Sequence, residues 1–207
     1  MVGVLVAGCA PSSSPAGSVL TGASSAASPG AVDAAASLSS AIARLDDGYA
    51  FTTAVSVDGK VATQAIGRWI GGGSEFVVTT NGTSITYRSL PPNSWVLQAG
   101  QGWVQIDGSI PSGSPLDALR SPGQVSPTGN TGGALDLTAT YPAAALGLAG
   151  SGTVPVQIHL AADGSLTATY SAPTGSATST TTITPQPDQA AIVAPSPGPA
   201  SSGPAPS

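Results

Sequence analysis

The sequence predicts one domain of the α+β class: a single antiparallel, strongly curved sheet of about nine to eleven strands, packed on one N-terminal helix, with two short helical inserts. Three observations predict it. Apolar residues recur at helical spacing just before Gly48. From Tyr49 onward the period changes to two. Asp-Gly and Asn-Gly pairs then separate successive alternating runs, and such pairs supply the positive φ angles that a type I′ hairpin turn requires.

The helix comes first. Leu38, Ile42 and Leu45 fall at i, i+4 and i+7, with Val32, Ala35 and Ala41 completing the stripe. Asp33 suits the first turn and Gly48 the end. Asp46 and Asp47 lie at the end that the helix dipole disfavours for acids, so the helix is expected to fray there. Tyr49, Phe51, Val55 and Val57 then alternate with small polar residues, and Asp58-Gly59 leads into a second run, Val61 to Ile70. Phe76–Thr80, Asn81-Gly82 and Thr83–Leu90 form a second hairpin; Val154–Ala161, Asp163-Gly164 and Ser165–Ser171 form a third. Shorter strands are expected at Trp95–Gln98, Trp103–Ile106, Ala134–Thr140 and Ala177–Thr184. The two helical inserts are expected at Ser114–Arg120, with Ser114 as cap and Pro115 at the first position, and at Tyr141–Leu148. An apolar sheet face not covered by these pieces forms a pocket for an apolar guest.

The flanks differ in composition. Residues 10–31 are almost wholly Ala, Ser, Gly, Pro and Thr and read as a flexible linker, with a reach on the order of 25 Å. Residues 186–207 are Pro-rich and read as a disordered tail. The domain is therefore placed at 32–185.

Val6-Ala7-Gly8-Cys9 resembles a lipobox, the cleavage and lipidation site of bacterial lipoprotein signal peptides. No Lys or Arg precedes Cys9, although such a peptide opens with a basic segment. Residues 1–9 are thus read as a truncated signal peptide whose true start lies upstream. A lipid on Cys9 would tether the protein to the outer face of the cell membrane.

Order and residues together resemble a known group. Gly48-Tyr49-Ala50-Phe51, Val57-Asp58-Gly59, Gly67-Arg68, Trp95-Val96, Trp103, Pro115-Leu116-Asp117-Ala118-Leu119 and Tyr141-Pro142-Ala143-Ala144-Ala145-Leu146-Gly147-Leu148 follow a lipobox, a linker and a helix. This arrangement resembles the actinobacterial LppX/LprA/LprG lipoproteins, related in fold to the LolA/LolB carriers. The resemblance implies a half-barrel that holds lipid or lipoglycan acyl chains. Phe51, Val55, Trp69, Phe76, Tyr87, Trp95 and Trp103 are the candidate lining of its cavity. Trp69, Trp95 and Trp103 also fit a plain core role, and Trp95 with Trp103 a cross-strand aromatic pair. The alternative is a non-enzymatic scaffold or interaction lipoprotein of the cell envelope with a closed core.

Composition and motifs weigh against other classes. Only 7% of residues are charged, against roughly 25% in ordinary globular chains. The five Lys and Arg residues are scattered, so no basic stripe offers itself to nucleic acid. The single cysteine excludes an internal disulfide. The single histidine, His159, sits beside Gln157 on the polar side of its alternating run, and no second His or Cys joins it as a metal ligand. Gly71-Gly72-Gly73 separates strands and does not precede a helix, so it is no phosphate cradle. No Gly-x-Ser-x-Gly elbow is present, and Glu75 is the only glutamate. Asn81-Gly82-Thr83 matches a glycosylation sequon, but the hairpin turn accounts for Asn81. The expectation is a monomer without catalytic residues, metal or cofactor.

Overall fold

A computed structural model describes residues 33–106, 114–173 and 175–196. Cys9 and the 10–31 linker lie outside these residues. Helix α1 spans Ala34–Arg44, with the Asp33 carboxylate accepting from Ala36 N–H as N-cap. Leu38, Ala41, Ile42 and Leu45 are buried as the spacing predicts. Ala34 takes the place in the stripe expected of Ala35, which faces solvent. It lies four residues before Leu38, on the same helical face.

The strands are β1 Tyr49–Val57, β2 Lys60–Ile70, β3 Gly73–Thr80, β4 Thr83–Leu90, β5 Asn93–Gln98 and β6 Gly102–Ile106. They continue with β7 Val125–Thr131, β8 Ala134–Pro142, β9 Thr153–Leu160, β10 Leu166–Ser171 and β11 Ala177–Pro185. All pair antiparallel in one curved, unclosed sheet of order β6-β5-β4-β3-β2-β1-β11-β10-β9-β8-β7. Every neighbour pair is sequential except β1 with β11. The chain thus lays down half the sheet outward from β1, and builds the other half from the far edge back to it.

Asp58 and Gly59 have φ of 51° and 75°, and Asn81 and Gly82 have 50° and 80°, as two type I′ hairpins require. The Asp163-Gly164 turn differs from its expectation. Only Gly164 has positive φ, because the Asp163 carboxylate accepts from the backbone and hydroxyl of Ser165 and closes an Asx turn. Strand β7 was not foreseen. It contains Pro127 and Gly129, which spoil the strand pattern but are tolerated at a sheet edge. The two expected helical inserts are single 3₁₀ turns, at Asp117–Leu119 and Ala143–Leu146.

One face of the sheet carries the core. Leu137, Val156, Ile158, Leu166 and Ile183 pack there against Leu38 and Ile42 of α1 and its C-cap Leu45, with Leu116 and Leu119 above them. Full burial of each such side chain contributes about 1.5–3 kcal/mol. This core occupies the half built from β1 and β8–β11.

The opposite face meets the C-terminal segment. Gln186 N–H donates to Gly48 C=O at 2.9 Å, Arg68 Nη1 to Gln189 Oε1 at 3.1 Å, and Arg88 Nη1 to the Val193 carbonyl at 3.1 Å. Ile192 is buried beside Gly73. Residues 186–196, which composition placed outside the domain, therefore pack on the sheet. Composition concealed this, because one isoleucine and a few acceptors anchor an otherwise linker-like stretch. Residues 197–207 lie outside the described ones.

Candidate ligand-binding site

The β6–β7 connection carries the site. These strands are the two opposite edges of the sheet. The described part of the connection passes over the core face, and the sheet holds it there by tyrosines. Tyr49 of β1 donates its hydroxyl to Ser114 Oγ, which also accepts from Leu116 N–H at 3.1 Å. Tyr141 of β8 donates to the Leu119 carbonyl at 3.1 Å. Arg120 pairs with Asp46, just past α1, and with Asp117 at 3.2 Å. Asp46 therefore has a cation at the helix end where it was expected to be destabilising, and their contact raises the Arg120 pKa further. The 143–146 turn is held the same way, by the Tyr170 hydroxyl on the Leu146 carbonyl at 3.3 Å.

Beneath these two turns lies a cavity of about 650 Å³. Its cover mixes apolar and polar side chains: Ser114, Pro115, Asp117, Ala118 and Leu119 from one turn, Ala145 and Leu146 from the other. Its floor is the core face of β1, β10 and β11, with Thr53, Ala168, Tyr170, Ser179 and Thr181. The hydroxyls of Thr53 and Thr181 bond each other at 2.9 Å. Among the described residues no buried side-chain N or O lacks a partner.

Phe51, Val55, Trp69, Phe76 and Tyr87 all lie on this same core face of the sheet. None of them lines the cavity. Four of them join Tyr49 in an aromatic run across β1 to β4. Trp69 stacks on Tyr49 at 5.6 Å, Phe51 lies 6.3 Å from Tyr49 and from Phe76, and Phe76 stacks on Tyr87 at 5.4 Å. Val55 sits further along β1, opposite Thr63 and Ser179. Trp95 and Trp103, expected in the same lining, lie elsewhere. Register places Trp95 opposite Arg88 and Gln105, and Trp103 opposite Leu97, all on the other face of the sheet. Neither can line a cavity on the core face, and the two indoles are not directly opposed. Trp103 instead carries the Arg88 guanidinium 4.6 Å from its ring centre, and Arg88 pairs with Glu75.

The residues that do line the cavity are mostly small, Ala, Ser and Thr. Their signal in the sequence was the Pro115–Leu119 and Ala143–Leu146 segments, whose position over the sheet is a matter of topology. His159 faces away from the core, its Nδ1 2.6 Å from Asp136 Oδ1. Among the described residues no cluster of three His, Cys, Asp or Glu is placed to hold a metal, and no helix is long and apolar enough to cross a membrane.

Burial pushes the pKa of Tyr49 up to about 12, with the Ser114 hydrogen bond opposing it, and burial does the same for Tyr141. Both are neutral in either state below pH 10. As pH rises from 10 to about 12 the unfolded chain ionises them first, so their stabilising contribution is lost over that window. The loss is expected to approach roughly 2–3 kcal/mol for each at the upper end. Alkaline titration should show Tyr49 and Tyr141 ionising together with unfolding. Ionisation of either near pH 10 in the folded protein would contradict this.

No known protein-family model matches the chain, and no curated protein does.

Proposed function

We propose that this chain is a lipid-anchored, non-enzymatic lipoprotein of the outer face of the cell membrane, and that it binds the acyl chains of a lipid or lipoglycan under the 114–120 and 143–146 turns. The observation that carries this reading is the cavity of about 650 Å³ between the two turns and the core face, with Pro115, Ala118, Leu119, Ala145, Leu146 and Ala168 in its lining. Its volume falls within the range of small-molecule sites. Each methylene moved from water into it contributes about 0.8 kcal/mol. In this reading the curved sheet is a half-barrel of the LppX/LprA/LprG type. The two 3₁₀ turns stand in for that half-barrel's helical inserts, and Cys9 carries the anchor.

Ala145 is solvent-facing on its outer side yet lines the cavity, so Ala145→Trp should fill the space without disturbing the core. Native mass spectrometry of the full chain, before and after exposure to a membrane lipid extract, is expected to show bound lipid. Occupancy should fall severalfold in the variant. If no lipid co-purifies and none binds from the extract, the carrier reading is wrong. The second reading, a closed-core scaffold or interaction lipoprotein, then stands. It is favoured by the aromatic run, which fills the core face of β1–β4 with the protein's own side chains.

A further inference from the structure

The face of the sheet opposite the core holds a second depression, over β8, β9 and β10, of about 400 Å³. Two rows of polar side chains cross it in register. Asp136, His159 and Thr167 form one; Thr138, Gln157 and Thr169 form the other. A β-bulge in the edge strand β7 completes it. The register shifts between Pro127 and Gly129, so Thr128 is the unpaired extra residue and joins the lining. Bulges commonly re-aim a side chain in this way. Gly129 meanwhile leaves space for the Asp136 carboxylate, whose Oδ2 would lie only 3.1 Å from a Cβ at that position.

The chemistry of this groove is narrow. Asp136 accepts from His159 Nδ1 at 2.6 Å, which orients the ring and leaves Nε2 directed elsewhere. Gln157 offers a donor and an acceptor on one plane, and the threonines offer hydroxyls that do either. No Lys or Arg lines it, so a phosphate or carboxylate finds no fixed counter-charge. Two ligating side chains, Asp136 and His159, fall short of the three or four protein ligands that hold a transition metal. An acyl chain would desolvate the polar rows without replacing their bonds to water. A ring rich in neutral hydroxyls offers both donors and acceptors to these rows, and the Thr167 and Thr169 hydroxyls are held in advance by Thr182 and Thr180 at 3.2 Å, which lowers the ordering cost of binding.

We propose that the groove formed by Asp136, Thr138, Gln157, His159, Thr167 and Thr169 is a binding site for a neutral saccharide. It is independent of the acyl cavity, which lies on the other face. The test is a titration of the isotope-labelled full chain with maltose and with cellobiose, followed by amide and His159 ring resonances. At least one of the two is expected to bind with millimolar affinity and to shift signals of 136–138, 157–159 and 167–169. Glucose 6-phosphate should bind more weakly, for want of a counter-charge. Gln157→Ala and Asp136→Asn should each weaken binding by about tenfold, equivalent to about 1.4 kcal/mol. Both side chains face solvent, and unchanged spectra elsewhere will show that the fold is kept. The proposal is overturned if neither disaccharide moves these signals, if the shifts fall elsewhere, or if both variants bind as the parent does.

Discussion

Gly67→Val is expected to destabilise the domain by about 3 kcal/mol or more, at the upper end of what overpacking costs. Gly67 lies on the core face of β2, between Phe51 of β1 and Phe76 of β3. A Cβ there would stand 2.4 Å from Phe76 Cβ and 2.5 Å from the Glu75 carbonyl oxygen. Backbone oxygen cannot swing aside, so the strands would have to part. The same absence of a side chain lets Phe51 and Phe76 approach to 6.3 Å although their strands are not neighbours. A branched side chain would break the aromatic run as well as the strand pairing. Since a domain's whole stability is about 5–15 kcal/mol, the loss should be plain in the urea midpoint. A shift equivalent to less than about 1 kcal/mol would mean that the strands do not approach this closely.

Tyr49→Ala is expected to cost about 3–5 kcal/mol, as removal of a large buried aromatic does. Tyr49 is fully buried, stacks on Trp69, and bonds Ser114 at the start of the cover turn. Tyr49→Phe separates the two roles. It keeps the stack but removes one of the two donors to Ser114 Oγ, leaving Leu116 N–H, at about 0.5–1.5 kcal/mol. Amide exchange in 114–120 should quicken in that variant, more than exchange in β9 or β10, because the clamp on the turn is lost. Equal exchange throughout would show that the tyrosine supports the core alone. If lipid enters by displacement of this turn, Tyr49→Phe should also speed lipid exchange.

Much of the fold was legible because its signals are local. Leu38, Ile42 and Leu45 set a helical period; Val154, Val156, Ile158 and Leu160 set a strand period; Asp58-Gly59 and Asn81-Gly82 demand φ values that few other pairs adopt. Strand β7 escaped because Pro127 and Gly129 suit only an edge, and edge status is not a local property. Asp163-Gly164 misled because the same dipeptide serves an Asx turn when a serine follows. The cavity escaped for a different reason. Large apolar residues draw attention in a sequence, yet here they pack on one another, whereas a void is lined by small ones such as Ala118, Ala145 and Ala168.

The sequence by itself determined where the chain turns and which residues alternate. It also determined that charged residues are few. Only the tertiary structure decided which of the two faces is the core. That choice depends on β1 pairing with β11, a contact such as Thr53 to Thr181 between residues 128 apart, which no local period encodes. The pairing makes β6 and β7 the outer edges, and residues 114–120 between them lie over the core face, where Tyr49 and Tyr141 hold them as a roof. It also puts Trp95, Trp103, Arg68 and Arg88 on the other side, where residues 186–196 pack. Alternation divides residues between two faces; long-range pairing alone says which face meets α1 and which meets solvent or the C-terminal segment.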